Sequence, residues 1–203
     1  MADDFSQWSA VILAAGRSQR FGAPKVLQSF NGVPFVTRIR KNLEERGIQE
    51  MVLVLGFQAQ NLIPHIPDVG YFKIAVNSNF DLGQFSSLQV GLQQVHPQAK
   101  GIVMCLVDQP HVASTTYLRL LESARRFPRA FLLPRFANRG GHPVIIPTVF
   151  FKEIIQADAR QVTLREIMLK HAKDIRRVAV DDPAVLEDID TRETLLELEK
   201  KYR

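Results

Sequence analysis

The chain has 203 residues, 46% hydrophobic and 23% charged, with 26 Lys and Arg against 21 Asp and Glu. The composition excludes disorder, collagen and coiled coil, and the length predicts one domain over residues 1–203 with a full core. A single cysteine, Cys105, excludes an internal disulfide, and the net charge of +5, carried mostly by arginine, points to an anionic partner.

In chain order, MADDFSQW is acidic and lacks the cationic start of a signal peptide, so a cytoplasmic protein is expected. No run approaches the ~20 apolar residues of a membrane span. Residues 9–15 (SAVILAA) read as a buried strand ending at Gly16. Residues 34–46 carry a helical stripe of Phe35, Val36, Ile39 and Leu43, with Gly47 as the stop. Residues 51–55 (MVLVL) and 72–76 read as strands, and 83–95 as a helix. Residues 102–107 (IVMCLV) form a strong strand ending at Asp108, with Cys105 expected in the core. A helix follows over 114–126, with Ser114 or Thr115 as its cap. Residues 130–133 and 143–146 read as strands flanking a glycine turn, 147–157 and 163–172 as helices, 177–180 as a last strand and 191–202 as a final helix.

Continuous apolar strands between helices predict an α/β doubly wound, mostly parallel sheet with helices on both faces. Ligands of such sheets bind beyond the carboxyl ends of the strands. After the first strand comes the loop Leu13-Ala14-Ala15-Gly16-Arg17-Ser18-Gln19-Arg20-Phe21-Gly22-Ala23-Pro24-Lys25. Small residues let backbone N–H groups approach an anion, and Arg17, Arg20 and Lys25 add charge there, a composition suited to a triphosphate. It is not a P-loop, because its glycines are one step too far apart and Ala23 follows the second. Nor does it supply the G-x-G-x-x-G of a dinucleotide site. Asp108 is placed to hold a metal against phosphates, or to cap the turn before Pro110. Asp188 and Asp190, two apart on an extended segment, either meet a cation or the substrate, or leave Asp190 or Thr191 as the N-cap of the last helix. The segment 77–88, with Asn77, Gly83, Ser86 and Ser87, either reads a base edge or is a capped turn. Arg139, Gly141 and His142 lie in a glycine turn that is either a flexible loop presenting His142 to an acceptor or a hairpin-like connection with a surface histidine. No helix clusters Lys and Arg and no aromatic stacking motif occurs, so a nucleic-acid partner is not expected.

The stretch L-A-A-G-x-S-x-R-x-G-x-x-K resembles the signature loop of nucleotidyltransferases with the nucleotide-diphospho-sugar transferase fold. From Val11 to about Leu198 the chain is similar to the molybdenum-cofactor nucleotidyltransferases. Leu13 to Gly16, Gly141-His142-Pro143 and Asp188-Ile189-Asp190-Thr191 resemble the cytidylyl branch; Gly83 with Ser87, Asp108 with Pro110, and Val162-Thr163 also match. Arg192 stands where many members have proline. The resemblance implies Mg²⁺-dependent transfer of CMP from CTP to the terminal phosphate of molybdopterin. It implies Arg20, Lys25 and Asp108 as catalytic groups, and Leu13, Ala14, Ala15, Gly16, Arg17, Lys25, Asn77, Gly83, Ser86 and Ser87 around the nucleotide. Arg139, Gly141 and His142 would meet the acceptor, and Asp108, Asp188 and Asp190 the metal. A molybdoenzyme or its chaperone is the implied protein partner. Other readings remain: a GTP-using guanylyltransferase, a sugar-, polyol- or choline-phosphate cytidylyltransferase, or a non-catalytic cofactor carrier or insertion chaperone.

Overall fold

The computed structural model describes residues 5–203; the acidic start at residues 1–4 lies outside the described residues. Ten strands are present: β1 (Ser9–Ala14), β2 (Ser29–Phe30), β3 (Val33–Pro34), β4 (Glu50–Leu55), β5 (Lys73–Val76), β6 (Gly101–Leu106), β7 (Phe131–Phe136), β8 (Arg139–Gly140), β9 (Val144–Pro147) and β10 (Ile175–Ala179). The α-helices are α1 (Phe35–Glu44), α2 (Ala59–Leu62), α3 (Gln84–Leu92), α4 (Ser114–Arg126), α5 (Phe151–Gln156), α6 (Leu164–Lys170) and α7 (Arg192–Lys201). The main sheet runs β10-β7-β9-β6-β1-β4-β5, with β8 paired to β7. β5, β4, β1 and β6 are parallel neighbours, as are β7 and β10, and β9 runs antiparallel between β6 and β7. The expected doubly wound, mostly parallel sheet is therefore present.

Strand residues alternate between two cores because successive side chains leave opposite faces of a sheet. Ala10, Ile12, Leu53, Val103 and Cys105 face α1, α4 and α7, whereas Val11, Leu13, Val54, Ile102 and Met104 face α3, α5 and α6. Both faces are covered, which is why these strands are apolar throughout. Gly91 of α3 sits tightly over this second face: a Cβ there would lie 2.4 Å from a methyl of Val11.

Several element ends differ from expectation for local reasons. The helix expected from Gly83 starts at Gln84, because Gly83 has φ +92° and serves as its N-cap. The strand expected over 130–133 continues to Phe136 through Pro134; β9 pairs with β7 only at Leu132, so the missing proline N–H costs little. Pro147 ends β9 rather than opening a helix, and α5 begins at Phe151. The expectation that Ser114 or Thr115 caps α4 is overturned. The cap position is Ala113, and Asp182, buried and distant in sequence, accepts from the Ala113 N–H at 2.9 Å and the Thr116 hydroxyl at 2.7 Å. Ser114 instead donates to Glu45. Thr163 and Thr191 do cap α6 and α7. The β2–β3 hairpin was readable from Asn31-Gly32, both at positive φ as a tight hairpin turn requires.

His111 is buried between the Phe30 ring, stacked at 5.3 Å, and Tyr202 of the C-terminal end, at 5.1 Å. Neither ring nitrogen has a hydrogen-bond partner, and burial lowers its pKa to about 4 despite the nearby Glu187 and Asp182 carboxylates. An unfolded histidine titrates near 6.5, so between about pH 6.5 and 4 the unfolded chain holds the extra proton and stability falls as pH falls. The expected loss at pH 4 from this group is about 3 kcal/mol. Urea unfolding across this range checks it: His111→Phe flattens the pH dependence, and parallel curves would contradict the assignment.

Candidate active site

The carboxyl ends of β1, β4 and β6 open onto one rim, because these strands are parallel neighbours. A cleft of about 510 Å³ lies there. Its floor is Leu13 to Gly16, with Leu106, Val107 and Asp108 at the end of β6. The Val107 N–H donates to the Leu13 carbonyl at 3.1 Å, so the two strand ends leave the sheet together. The loop after β1 then folds back on itself. Phe21 and Gly22 donate to the Ser18 carbonyl at 3.1 and 3.0 Å, Gly22 takes φ +77°, and the Lys25 N–H donates to the Ser18 hydroxyl at 3.3 Å. At Gly16 nothing lies within 4 Å of where a Cβ would stand, so the backbone is open to a ligand.

This fold-back brings Lys25 to the centre of the charge cluster. Its ammonium donates to Asp108 Oδ2 at 2.9 Å and to Asp190 Oδ1 at 2.8 Å. Arg20 reaches the other Asp190 oxygen at 2.9 Å. The Lys25 and Arg20 cations hold the Asp190 carboxyl below the usual carboxylate range. Asp188, two residues earlier, accepts from the Gln109 amide at 2.8 Å; desolvation and the Asp108 and Asp190 charges push its pKa up. The segment is tied to the rim by the Ile189 N–H, which donates to the Asp108 carbonyl at 2.9 Å.

The opposite wall is the stretch from Phe80 to Ser87. Asn77 lies buried beneath it and donates to Ser86 and Ser87 at 2.9 and 3.0 Å, while its own oxygen accepts from the Asn79 N–H. Asn77 and Ser86 thus brace the wall from behind, and Gly83 and Ser87 line the cleft itself. Arg17 spans the mouth: its Nε and Nη2 donate to Asp81 at 3.0 and 2.8 Å.

The glycine turn forms the neighbouring rim on the β7–β9 side and does not line this cleft. Gly141 is packed so closely that a Cβ would lie 2.0 Å from the Val185 carbonyl, and the His142 N–H donates to that same oxygen at 3.0 Å. The imidazole of His142 is lowered by burial and raised back in part by the Asp108 charge. Arg139 is exposed on β8.

The sequence-predicted residues therefore divide. Leu13 to Arg17, Arg20, Lys25, Gly83, Ser87, Asp108 and Asp190 share one cleft; Asn77, Ser86, Asp188, Arg139, Gly141 and His142 do not line it. Phe80, Asp81 and Gln84, which line the same cleft, were not singled out in the sequence. Asp81 carried no signal there, since its partner is 64 residues away.

A divalent cation can be tested against these groups. Among the described residues no three His, Cys, Asp or Glu groups lie close enough to hold an ion alone. Asp108 Oδ1 is nevertheless buried with no hydrogen-bond partner. Magnesium and similar hard ions take one or two carboxylates and complete their shell with substrate phosphates, so Asp108 with Asp190 fits such an ion when a nucleotide is present.

A family model for the MobA-like NTP transferase domain matches residues 10–175. Nicotine blue oxidoreductase of Paenarthrobacter nicotinovorans is 29% identical over 197 residues, 94% of this chain and 95% of that protein. A probable molybdenum cofactor guanylyltransferase of Bacillus cereus (strain G9842) is 28% identical over 123 residues, 58% of this chain and 56% of its own length. The crystal structure of Rv0371c from Mycobacterium tuberculosis superposes with TM-score 0.79 at 27% identity, covering 98% of this chain and 100% of that one. The same protein in complex with manganese gives TM-score 0.75 at 28% identity, over 96% and 98% of the two chains. These likenesses share the nucleotide-diphospho-sugar transferase fold, and no described helix is long and apolar enough to cross a membrane. With the family model spanning most of the chain, including the loop and Asp108, the protein belongs to the MobA-like NTP transferase domain family and is a nucleotidyltransferase.

Proposed function

We propose that the protein transfers CMP from CTP to the terminal phosphate of molybdopterin, releasing pyrophosphate. The observation that carries nucleotidyl transfer is Lys25, whose ammonium touches both Asp108 and Asp190 inside the cleft. In such reactions the protein mainly positions the reactants and neutralises charge. The backbone at Ala14 to Gly16, open at Gly16, would hold the nucleotide phosphates. The acceptor phosphate attacks the α-phosphorus in line; the α–β bridging bond breaks and its electron pair leaves on pyrophosphate. Lys25 and Arg20 offset that leaving charge. Asp108 and Asp190, with Asp188 beside them, would hold the divalent ion, magnesium in this reading, which when bound would lower the repulsion between the phosphates. His142, Gly141 and Arg139 lie on the side from which the acceptor enters.

The choice of CTP rests on Leu13-Ala14-Ala15-Gly16 and Gly141-His142-Pro143. The guanylyltransferase relatives favour GTP as the second reading. Thermal shift with CTP, GTP, ATP and UTP, each with Mg²⁺, separates them, since a ligand binding only the native state raises stability in proportion to RT ln(1 + [L]/Kd). CTP is expected to give the largest shift; a shift with GTP and none with CTP overturns the cytidylyl reading.

A further inference from the structure

Arg17 sits in the phosphate loop, yet its guanidinium is directed across the cleft rather than into it. The fork that would grip a phosphate is closed on Asp81, with Nε and Nη2 donating to its two oxygens at 3.0 and 2.8 Å. The same guanidinium lies 5.0 Å from the Phe57 ring centre and 5.2 Å from that of Phe80. Those rings meet edge to face at 6.1 Å. At its base the wall is already fixed to the loop. The Phe57 N–H donates to the Ala15 carbonyl at 3.1 Å, and a Cβ on Gly56 would lie 2.6 Å from that carbonyl and 2.7 Å from Phe80 Cβ. Asn77 pins the rear of the wall to Ser86 and Ser87. Only the top, the turn Phe80–Leu82, relies on a contact open to solvent.

We propose that Arg17 and Asp81, with the Phe57 and Phe80 rings, form a clasp that holds the Phe80–Gln84 wall against the phosphate loop, so that Arg17 is a positioning residue rather than a phosphate ligand. The proposal rests on the reading that the cleft takes a nucleoside triphosphate. An exposed pair is weak in isolation, so the clasp opens readily enough to admit a ligand and closes at little cost. Its effect falls on nucleotide affinity and leaves the chemical step to Lys25, Arg20 and Asp108.

The test uses Arg17→Gln, Asp81→Asn and the reversed pair Arg17→Asp with Asp81→Arg. Hydrogen exchange is read without ligand at the Leu82 and Gly83 amides, which donate to Asn79 and Phe80 carbonyls at 2.9 and 3.0 Å. Each single variant is expected to speed exchange there by about three- to ten-fold. In each, the KM for CTP rises by a similar factor, of order three- to ten-fold, with kcat within about two-fold of wild type. The reversed pair recovers both readouts. Unchanged exchange in both single variants overturns the clasp. So does tighter nucleotide binding in Asp81→Asn beside a lost kcat in Arg17→Gln, which would make Arg17 a phosphate ligand. Wild-type protein that turns over no nucleotide overturns the nucleotidyl-transfer reading instead, while exchange still decides whether the contact orders the wall.

Discussion

Lys25→Ala is expected to lower kcat by roughly 10²–10³-fold, the usual cost of removing one preorganised charge-stabilising donor. The residue is nearly buried, its side chain 11% exposed, and its ammonium is shared between Asp108 and Asp190. Removing it has two consequences. The charge that would meet the leaving pyrophosphate is gone, and two carboxylates are left facing each other with only Arg20 to offset them. Asp190, now held below the usual carboxylate range chiefly by Lys25, rises toward it. Lys25→Arg is expected to recover little, since a bulkier planar guanidinium cannot take the place of a compact ammonium in a nearly buried site. Pyrophosphate release at saturating CTP measures the loss, and a thermal melt of the same variant confirms that the fold is kept. Activity within ten-fold of wild type would remove Lys25 from the chemistry.

Asp108→Asn is expected to cost roughly 10³-fold or more in kcat and to abolish the response to divalent ions, because metal charge stabilisation is worth several kcal/mol. The buried Oδ1 of Asp108 has no protein partner, whereas Oδ2 is taken by Lys25. The isosteric amide keeps the shape at the end of β6 and removes the negative charge that a cation requires. Titrating Mg²⁺ and Mn²⁺ into pyrophosphate-release assays of wild type and variant checks this. A variant that responds to either ion as wild type does would place the metal elsewhere.

The sheet was legible in the sequence because both of its faces are covered. Each central strand therefore reads as an unbroken apolar run, as in residues 9–14 and 102–106, and the ligand rim follows from where those runs stop. Asp108 was readable for the same reason, standing just past a strand end, whereas Arg20 and Lys25 were picked out by residue type in the loop, and their meeting at Asp190 depends on the loop's fold-back. The pieces that were not readable depend on long-range partners. Asp182 caps α4 from 66 residues away at Thr116, and Asp81 meets Arg17 from 64 away. The start of α3 turned on the positive φ of Gly83, which spacing alone does not reveal. The antiparallel course of β9 agrees with the hairpin-like connection read at the glycine turn, whereas the press of Gly141 on Val185, between segments far apart in sequence, was not readable. Asn77 and Ser86 show the converse: polar residues beside a ligand rim, bonded to each other to shape a wall.

The proposed reaction breaks the α–β bond of a nucleoside triphosphate in this cleft and passes the nucleotidyl group to a phosphate acceptor. Its most direct test is pyrophosphate release from CTP and from GTP, with Mg²⁺ and molybdopterin. Pyrophosphate formed with CTP in proportion to molybdopterin consumed is the predicted result. No pyrophosphate from either nucleotide, with molybdopterin left unchanged, would contradict it.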